Sequence, residues 1–148
     1  MAKQLEQLVM PPFDELFVKH AFTKEYEHYD PQHFGNEVLV FRSPELALKF
    51  VKDRSEVSLD VGPSNGSSWY MAPRLFEYLH LAGADLYGPA DAGRLERYAA
   101  IIEESYDTIV NLFRPENLQQ SEADLRRFWK LKAEELFPRD DVSDYGPH

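Results

Sequence analysis

The stretch that decides the fold is ELALKFVKDRSEVSLDVG, Glu45 to Gly62. Apolar and polar residues alternate on both sides of a charged centre, Asp53-Arg54. In a β-strand successive side chains point to opposite faces, so Leu46, Leu48 and Phe50 share one face, opposite Ala47, Lys49 and Val51. The run from Glu56 repeats the pattern, with Val57, Leu59 and Val61 inward and Ser58 and Asp60 outward. Asp is a common turn residue, and a connection this short forces the two strands to run antiparallel. Upstream, EVLVFR (Glu37 to Arg42) is apolar through its middle, as for a strand covered on both faces, and Ser43-Pro44 breaks it. These three runs predict a three-stranded antiparallel meander over residues 37–62.

Working outward, four helical segments are expected. Phe13, Leu16, Phe17, His20 and Ala21 recur at helical spacing, which predicts a first helix over Phe13 to Tyr29, with Pro11-Pro12 as its start and Asp30-Pro31 as its stop. The turn-forming GPSNGSS (Gly62 to Ser68) precedes a second helix over Trp69 to Leu81, with Ser67 or Ser68 as cap and Gly83 as stop. The longest stripe, Leu95, Tyr98, Ala99, Ile102, Tyr106, Ile109, Val110 and Phe113, predicts one helix from Arg94 to Phe113. Ser121, with Asp124 three residues on, opens a last helix carrying Leu125, Phe128, Trp129 and Leu136. The fold expected is α+β: a meander packed against an N-terminal helix and three C-terminal ones. Residues 1–138 form a single domain, and 139–148 a polar, mobile tail. At 148 residues a single core can bury about two-thirds of the unfolded chain's surface, so no staple is required.

Composition narrows the chemistry. The chain has no cysteine, which removes disulfides, thiolate nucleophiles and thiolate metal sites together. The first twelve residues hold no apolar run of signal-peptide length, and no stretch approaches the ~20 apolar residues of a membrane span. A soluble cytoplasmic protein is expected. Sixteen Lys and Arg stand against 26 Asp and Glu, a formal net charge of −10. Such a surface repels phosphate backbones and anionic membranes, so neither nucleic acid nor membrane is an expected partner, and a basic protein is.

Catalytic patterns are incomplete. A magnesium nuclease with an Asp on one strand and Glu-x-Lys on the next needs two carboxylates in register, but Ala47-Leu48-Lys49 lacks the acid. Asp53, Arg54 and Asp60 therefore read as turn and solvent-face residues. No histidine pair has the helical i, i+4 spacing of zinc hydrolases, Gly62-x-x-x-Gly66 lacks the Lys-Ser or Lys-Thr of a phosphate loop, and the Gly-x-Ser-x-Gly elbow is absent. His20 reads as a packed side chain, and His28 and His33, beside Glu25, Glu27 and Asp30, are left open as an ion site. No cofactor is implied and no catalytic residue is assigned.

Surface signals point to binding. Trp69-Tyr70 follows a loop, and such residues anchor interfaces or clamp a helix onto a sheet. Glu96, Glu103 and Asp107 share one flank of the long helix, with Glu104 nearby and Ile101 pointing away from the main stripe, a pattern that suits a basic partner with an apolar centre. The run from Phe34 to Tyr70, FGNEVLVFRSPELALKFVKDRSEVSLDVG followed by Trp69-Tyr70, resembles small bacterial proteins of the polymorphic-toxin immunity type. The resemblance implies a non-enzymatic inhibitor that blocks a toxin by binding it. Two alternatives stay open: a small enzyme or ligand-binding domain with a pocket near Asp60, His20 or His80, and a homodimeric structural protein.

Overall fold

Residues 3–136 are described by a computed structural model, and they fall into two compact units divided between Arg114 and Pro115. The tail expected over 139–148 lies outside the described residues. The first unit holds α1 (Leu5–Lys19), β1 (Thr23–Asp30), β2 (Asn36–Arg42), β3 (Leu46–Asp53), β4 (Glu56–Pro63), β5 (Tyr70–Met71), α2 (Ala72–Tyr78), a 3₁₀ turn (Ala84–Leu86), α3 (Ala92–Glu104) and α4 (Tyr106–Phe113). The sheet is an antiparallel meander in the order β1-β2-β3-β4-β5. The α+β class is as expected, but the sheet has five strands rather than three.

Both added strands were hidden for physical reasons. Strand β1 is exposed over most of its length and polar on both faces, so no apolar alternation marks it. The helix before it stops early through a Schellman motif: Phe22 N donates to Phe17 O at 2.9 Å, Ala21 adopts φ 59°, and the Phe22 ring rests 5.4 Å from that of Phe17. With alanine in the place glycine usually takes, that stop leaves little trace in the sequence. At the other end, Pro11 and Pro12 lie inside α1 rather than at its start. Each removes a main-chain donor, yet Leu5, Val9, Phe13, Leu16 and Phe17 form an unbroken buried stripe that holds the turn together. The helix begins where the buried Glu37 carboxylate, reaching over from β2, accepts from Gln4 N at 2.9 Å and Leu5 N at 3.2 Å.

The inner face of the sheet carries Leu39, Phe41, Leu46, Leu48, Phe50, Val57, Leu59 and Val61, all buried, in the register Phe41↔Leu48↔Val61 and Leu39↔Phe50↔Leu59. Helix α1 packs on this face. Phe17 stacks on Phe41 at 4.4 Å and Phe13 meets Phe50 edge-on at 4.9 Å, geometries that add to plain burial. Strand β2 is covered on one face only, since Val38 and Val40 are half-exposed.

Beyond β4 the expected helix at Trp69 is replaced by β5. Neither Ser67 nor Ser68 caps α2, whose N-cap is Met71, and the Ser67 amide donates to Asn65 Oδ1 at 2.9 Å. Helix α2 starts at Ala72 with Pro73 in its first turn. It ends before Gly83, in a second Schellman motif: Leu81 N donates to Phe76 O at 2.8 Å and His80 takes φ 60°. The long helix expected over Arg94 to Phe113 begins earlier, with Asp91 Oδ1 accepting from Arg94 N at 2.8 Å, and is interrupted at Ser105 into α3 and α4.

The second unit contains α5 (Pro115–Leu136). It opens on proline, six residues before the expected Ser121, which lies inside the helix and is buried together with Leu125. Phe128 and Trp129 meet edge-on at 5.2 Å, while Leu131 and Leu136 are exposed.

Candidate functional site

The outer face of the sheet is built by the residues that alternate with the core. Opposite one another lie Tyr26 and Val40, His28 and Val38, Lys49 and Asp60, and Asp60 and Met71. Tyr26 and Met71 are about half exposed, at 53% and 48%, and Val51 is half-buried. The loop after β4 folds back over this face. A Cβ on Gly62 would stand 2.1 Å from the Ser68 carbonyl oxygen, so only glycine lets the chain cross there. The crossing lays Trp69 beside Lys49, whose Nζ sits 4.9 Å from the ring centroid and 3.9 Å from Asp60 Oδ2. Burial raises the Asp60 carboxyl above its usual range, and Lys49 opposes that rise.

Tyr70 points the other way, stacking on Phe113 at 5.8 Å on the inner face. The pair Trp69-Tyr70 is therefore divided between the two sides of the sheet: Tyr70 is a clamp and Trp69 is available to the outer face.

A cavity of about 380 Å³ adjoins this face, wrapped around the edge of β4. Strand β5 pairs only with Asp60 and Val61, so the lower half of β4 has no neighbouring strand. The loop after the 3₁₀ turn stands opposite instead. Ala90 N donates to Val57 O at 2.8 Å, and the alternation of a strand turns the main-chain groups of Val57 and Leu59 to that same side, where both residues are buried. Val57, Leu59, Met71, Pro73 and Pro89 line the cavity with apolar surface, and Asp53, Glu56, Ser58, Arg74 and Tyr87 supply its polar groups.

The loop is held firmly. Arg94 donates to the carbonyls of Tyr87 (2.8 Å), Pro89 (3.0 Å) and Asp85 (3.2 Å), and the buried Tyr98 hydroxyl donates to Leu86 O at 2.9 Å. Tyr87 Oη donates to Glu77 Oε1 at 2.8 Å; burial first, then that carboxylate, push its hydroxyl up to about 12.

The acidic helix flank is split by the structure. Glu103 accepts from Lys19 Nζ at 2.5 Å and lies 3.3 Å from His20 Nε2, and the lysine holds its carboxyl below the usual range. Glu96, Glu104 and Asp107 are exposed. Ile101 is half-buried and, at ~100° per residue, stands about 160° around α3 from Glu103, so the two do not share a flank.

The His20 ring stacks on Tyr106 at 3.5 Å, and the Tyr106 hydroxyl is hydrogen-bonded to the buried Ser43 Oγ at 3.1 Å. Burial pushes the Tyr106 hydroxyl up to about 12. This network ties α1, α4 and the β2–β3 turn together. His33 donates to Asp30 Oδ2 at 2.6 Å and His28 stands on β1; among the described residues no group of three or more His, Asp or Glu side chains is placed to hold a metal ion. No helix among them is long and apolar enough to cross a membrane. Comparison with protein-family models, curated proteins and solved structures gives no match.

Proposed function

We propose that this chain is a non-enzymatic acidic binding protein that docks a basic partner protein on the outer face of its sheet, in the manner of an immunity-type inhibitor that works by covering its target. One observation carries the reading: half-exposed Val38, Val40 and Val51 and exposed Tyr26 and Met71 lie on the same sheet face as Asp53, Asp60 and Glu56. An apolar strip bordered by acids matches a partner with an apolar centre and a basic rim. Trp69 at the margin supplies an aromatic anchor. The net charge of −10, to which exposed Glu96, Glu104 and Asp107 contribute, favours fast encounter with a cation.

The test is affinity capture from the native host at low salt, comparing the wild type with Met71→Arg and with Glu104→Gln. The reading expects captured proteins to be basic, to be lost with Met71→Arg, and to be released at about 0.5 M salt, where the screening length falls to a few ångströms. Capture unchanged by both Met71→Arg and salt refutes it.

A further inference from the structure

The cavity beside β4 carries charges of both signs on walls that are otherwise apolar. We infer that it is a site for a linear amphoteric small molecule, with an ammonium group at one end, a carboxylate at the other and an apolar body between. The site stands apart from the basic-partner reading, and either can fail without the other.

The strand edge itself takes no part. Val57 and Leu59 are 3% and 1% exposed, Ala90 N already donates to Val57 O, and Asp60 pairs with Met71. A ligand therefore meets side chains rather than main-chain groups, which favours a small molecule over an extended chain. The volume of about 380 Å³ lies near the lower end of ligand clefts, roughly 300 to 1,000 Å³.

The polar side chains divide by sign along the cavity. Asp53 and Glu56 pair across the β3–β4 hairpin at one end, and both are exposed. Arg74 lines the cavity from the first turn of α2, just beyond Met71, which stands opposite Asp60. Glu56 and Asp60 are four strand steps apart, about 13 Å, so the acids and the guanidinium approach a ligand from different ends, and their side chains shorten the gap. The charge of Arg74 opposes the rise of the Tyr87 hydroxyl, which sets the guanidinium beside the loop wall. A guanidinium has five N–H donors in a planar fork, so a contact within the protein leaves donors for a ligand carboxylate. Between the charged ends, Val51, Met71 and Pro89 supply apolar surface.

This arrangement discriminates. A plain cation suits the two acids and is repelled by Arg74, and a plain anion meets the reverse. A compact zwitterion such as glycine is too short to reach both ends. A terminal amine separated from a carboxylate by a chain of methylenes satisfies each end and covers the apolar wall. Arg94 fixes the loop wall through three carbonyls, so a ligand does not have to order it, and that entropic cost of binding is avoided.

The test is ¹H–¹⁵N NMR shift mapping on the full chain with 6-aminohexanoate, compared with glycine, hexylamine and hexanoate. The expected result is saturable shifts at Ser58, Met71, Arg74 and Gly88 with 6-aminohexanoate, and binding at least about fivefold weaker for each of the other three. Arg74→Gln should reduce 6-aminohexanoate to the level of hexylamine, and Asp53→Asn with Glu56→Gln should reduce it to the level of hexanoate. All three positions are exposed, so the variants should keep the wild-type spectrum away from the cavity, and Glu104→Gln should bind as wild type does. Hexylamine or hexanoate binding as tightly as 6-aminohexanoate shows that one charged end is idle and overturns the amphoteric assignment. Equal binding of glycine overturns the end-to-end span. Shifts confined to residues outside the cavity, or no saturable shift with 6-aminohexanoate, overturn the site outright.

Discussion

Replacing Glu37 tests the join between α1 and the sheet. The side chain is 3% exposed and its carboxylate accepts from the amides of Gln4 and Leu5, two of the donors that a helix start leaves without intrahelical partners. Lys52, 7% exposed, stands directly opposite it on β3 and donates to Gly35 O at 3.4 Å. Glu37→Ala removes the acceptor of two buried amides, each worth about 1–3 kcal/mol when left unsatisfied. It also removes an anion from the positive end of a helix dipole. These contributions overlap, and about 2–4 kcal/mol is expected in total. Glu37→Gln keeps an acceptor oxygen and loses only the charge, so about 1–2 kcal/mol is expected. The control is Glu6→Gln, whose partner Lys24 forms a solvent-exposed pair at 3.0 Å and whose loss should cost under ~1 kcal/mol. The assay is urea unfolding followed by far-UV circular dichroism. With a slope near 2 kcal/mol per molar, Glu37→Ala should lower the midpoint by roughly 1–2 M. If Glu37→Ala costs no more than Glu6→Gln, the buried carboxylate does not anchor α1 and the account of how the helix begins is wrong.

Three further outcomes follow from named contacts. Burial raises the Asp60 pKa in the folded state, so the stability tied to its protonation is full below the unfolded value of about 3.9 and is lost as pH rises through the higher folded value; Asp60→Asn should therefore be at least as stable as wild type at pH 7, and a lower urea midpoint there would contradict this. The Glu103 pKa is lowered by Lys19, which gives the opposite sign: Glu103→Gln should cost under ~1 kcal/mol at pH 7, and that difference should shrink as pH drops below the unfolded value of about 4.3, read from the same titration. Arg94→Ala should speed amide exchange at Ala90 well before it changes global stability, because the three carbonyl contacts hold the loop rather than the core; unchanged Ala90 protection would show that the loop stands without them.

How much of this was legible in the sequence depends on where the apolar signal lay. Strands β2 to β4 were readable because Leu46, Leu48, Phe50, Val57, Leu59 and Val61 alternate against a single buried face. Strand β1 was not, since Thr23 to Asp30 is an edge with little buried surface on either side, and its Lys, Glu and Tyr residues fit a helix as readily. Ala21 and His80 end their helices with positive φ, a conformation expected of glycine, so neither stop was marked. The double proline in α1 signalled a start, whereas tertiary burial carried the helix through it. Of the site, Trp69-Tyr70 was visible in the sequence as a pair, but the separation of the two rings needed the strand geometry. The β4 cleft had no local signature at all. It joins Asp53, Leu59, Met71 and Pro89, which are close only because the chain turns three times between them.

The two edges of the sheet are treated in different ways. Edge strands invite unwanted pairing, and proteins blunt them with charge and with bulges. Strand β1 shows both devices: Lys24 is tied to Glu6 and Glu27 at 3.0 and 3.1 Å, and the register shifts between Lys24 and Tyr26. Strand β4 shows neither over Val57 to Leu59. The ladder stops at Met71 because the chain turns into α2: the fixed φ of Pro73 suits the first turn of that helix, which takes the chain away from the sheet. The gap is then covered by a loop instead of a strand: Arg94 holds that loop through its carbonyls, and Ala90 N donates to Val57 O at 2.8 Å. The edge is thereby closed without a further strand: Val57 and Leu59 stay buried, at 3% and 1% exposure, beside the loop that Arg94 holds in place.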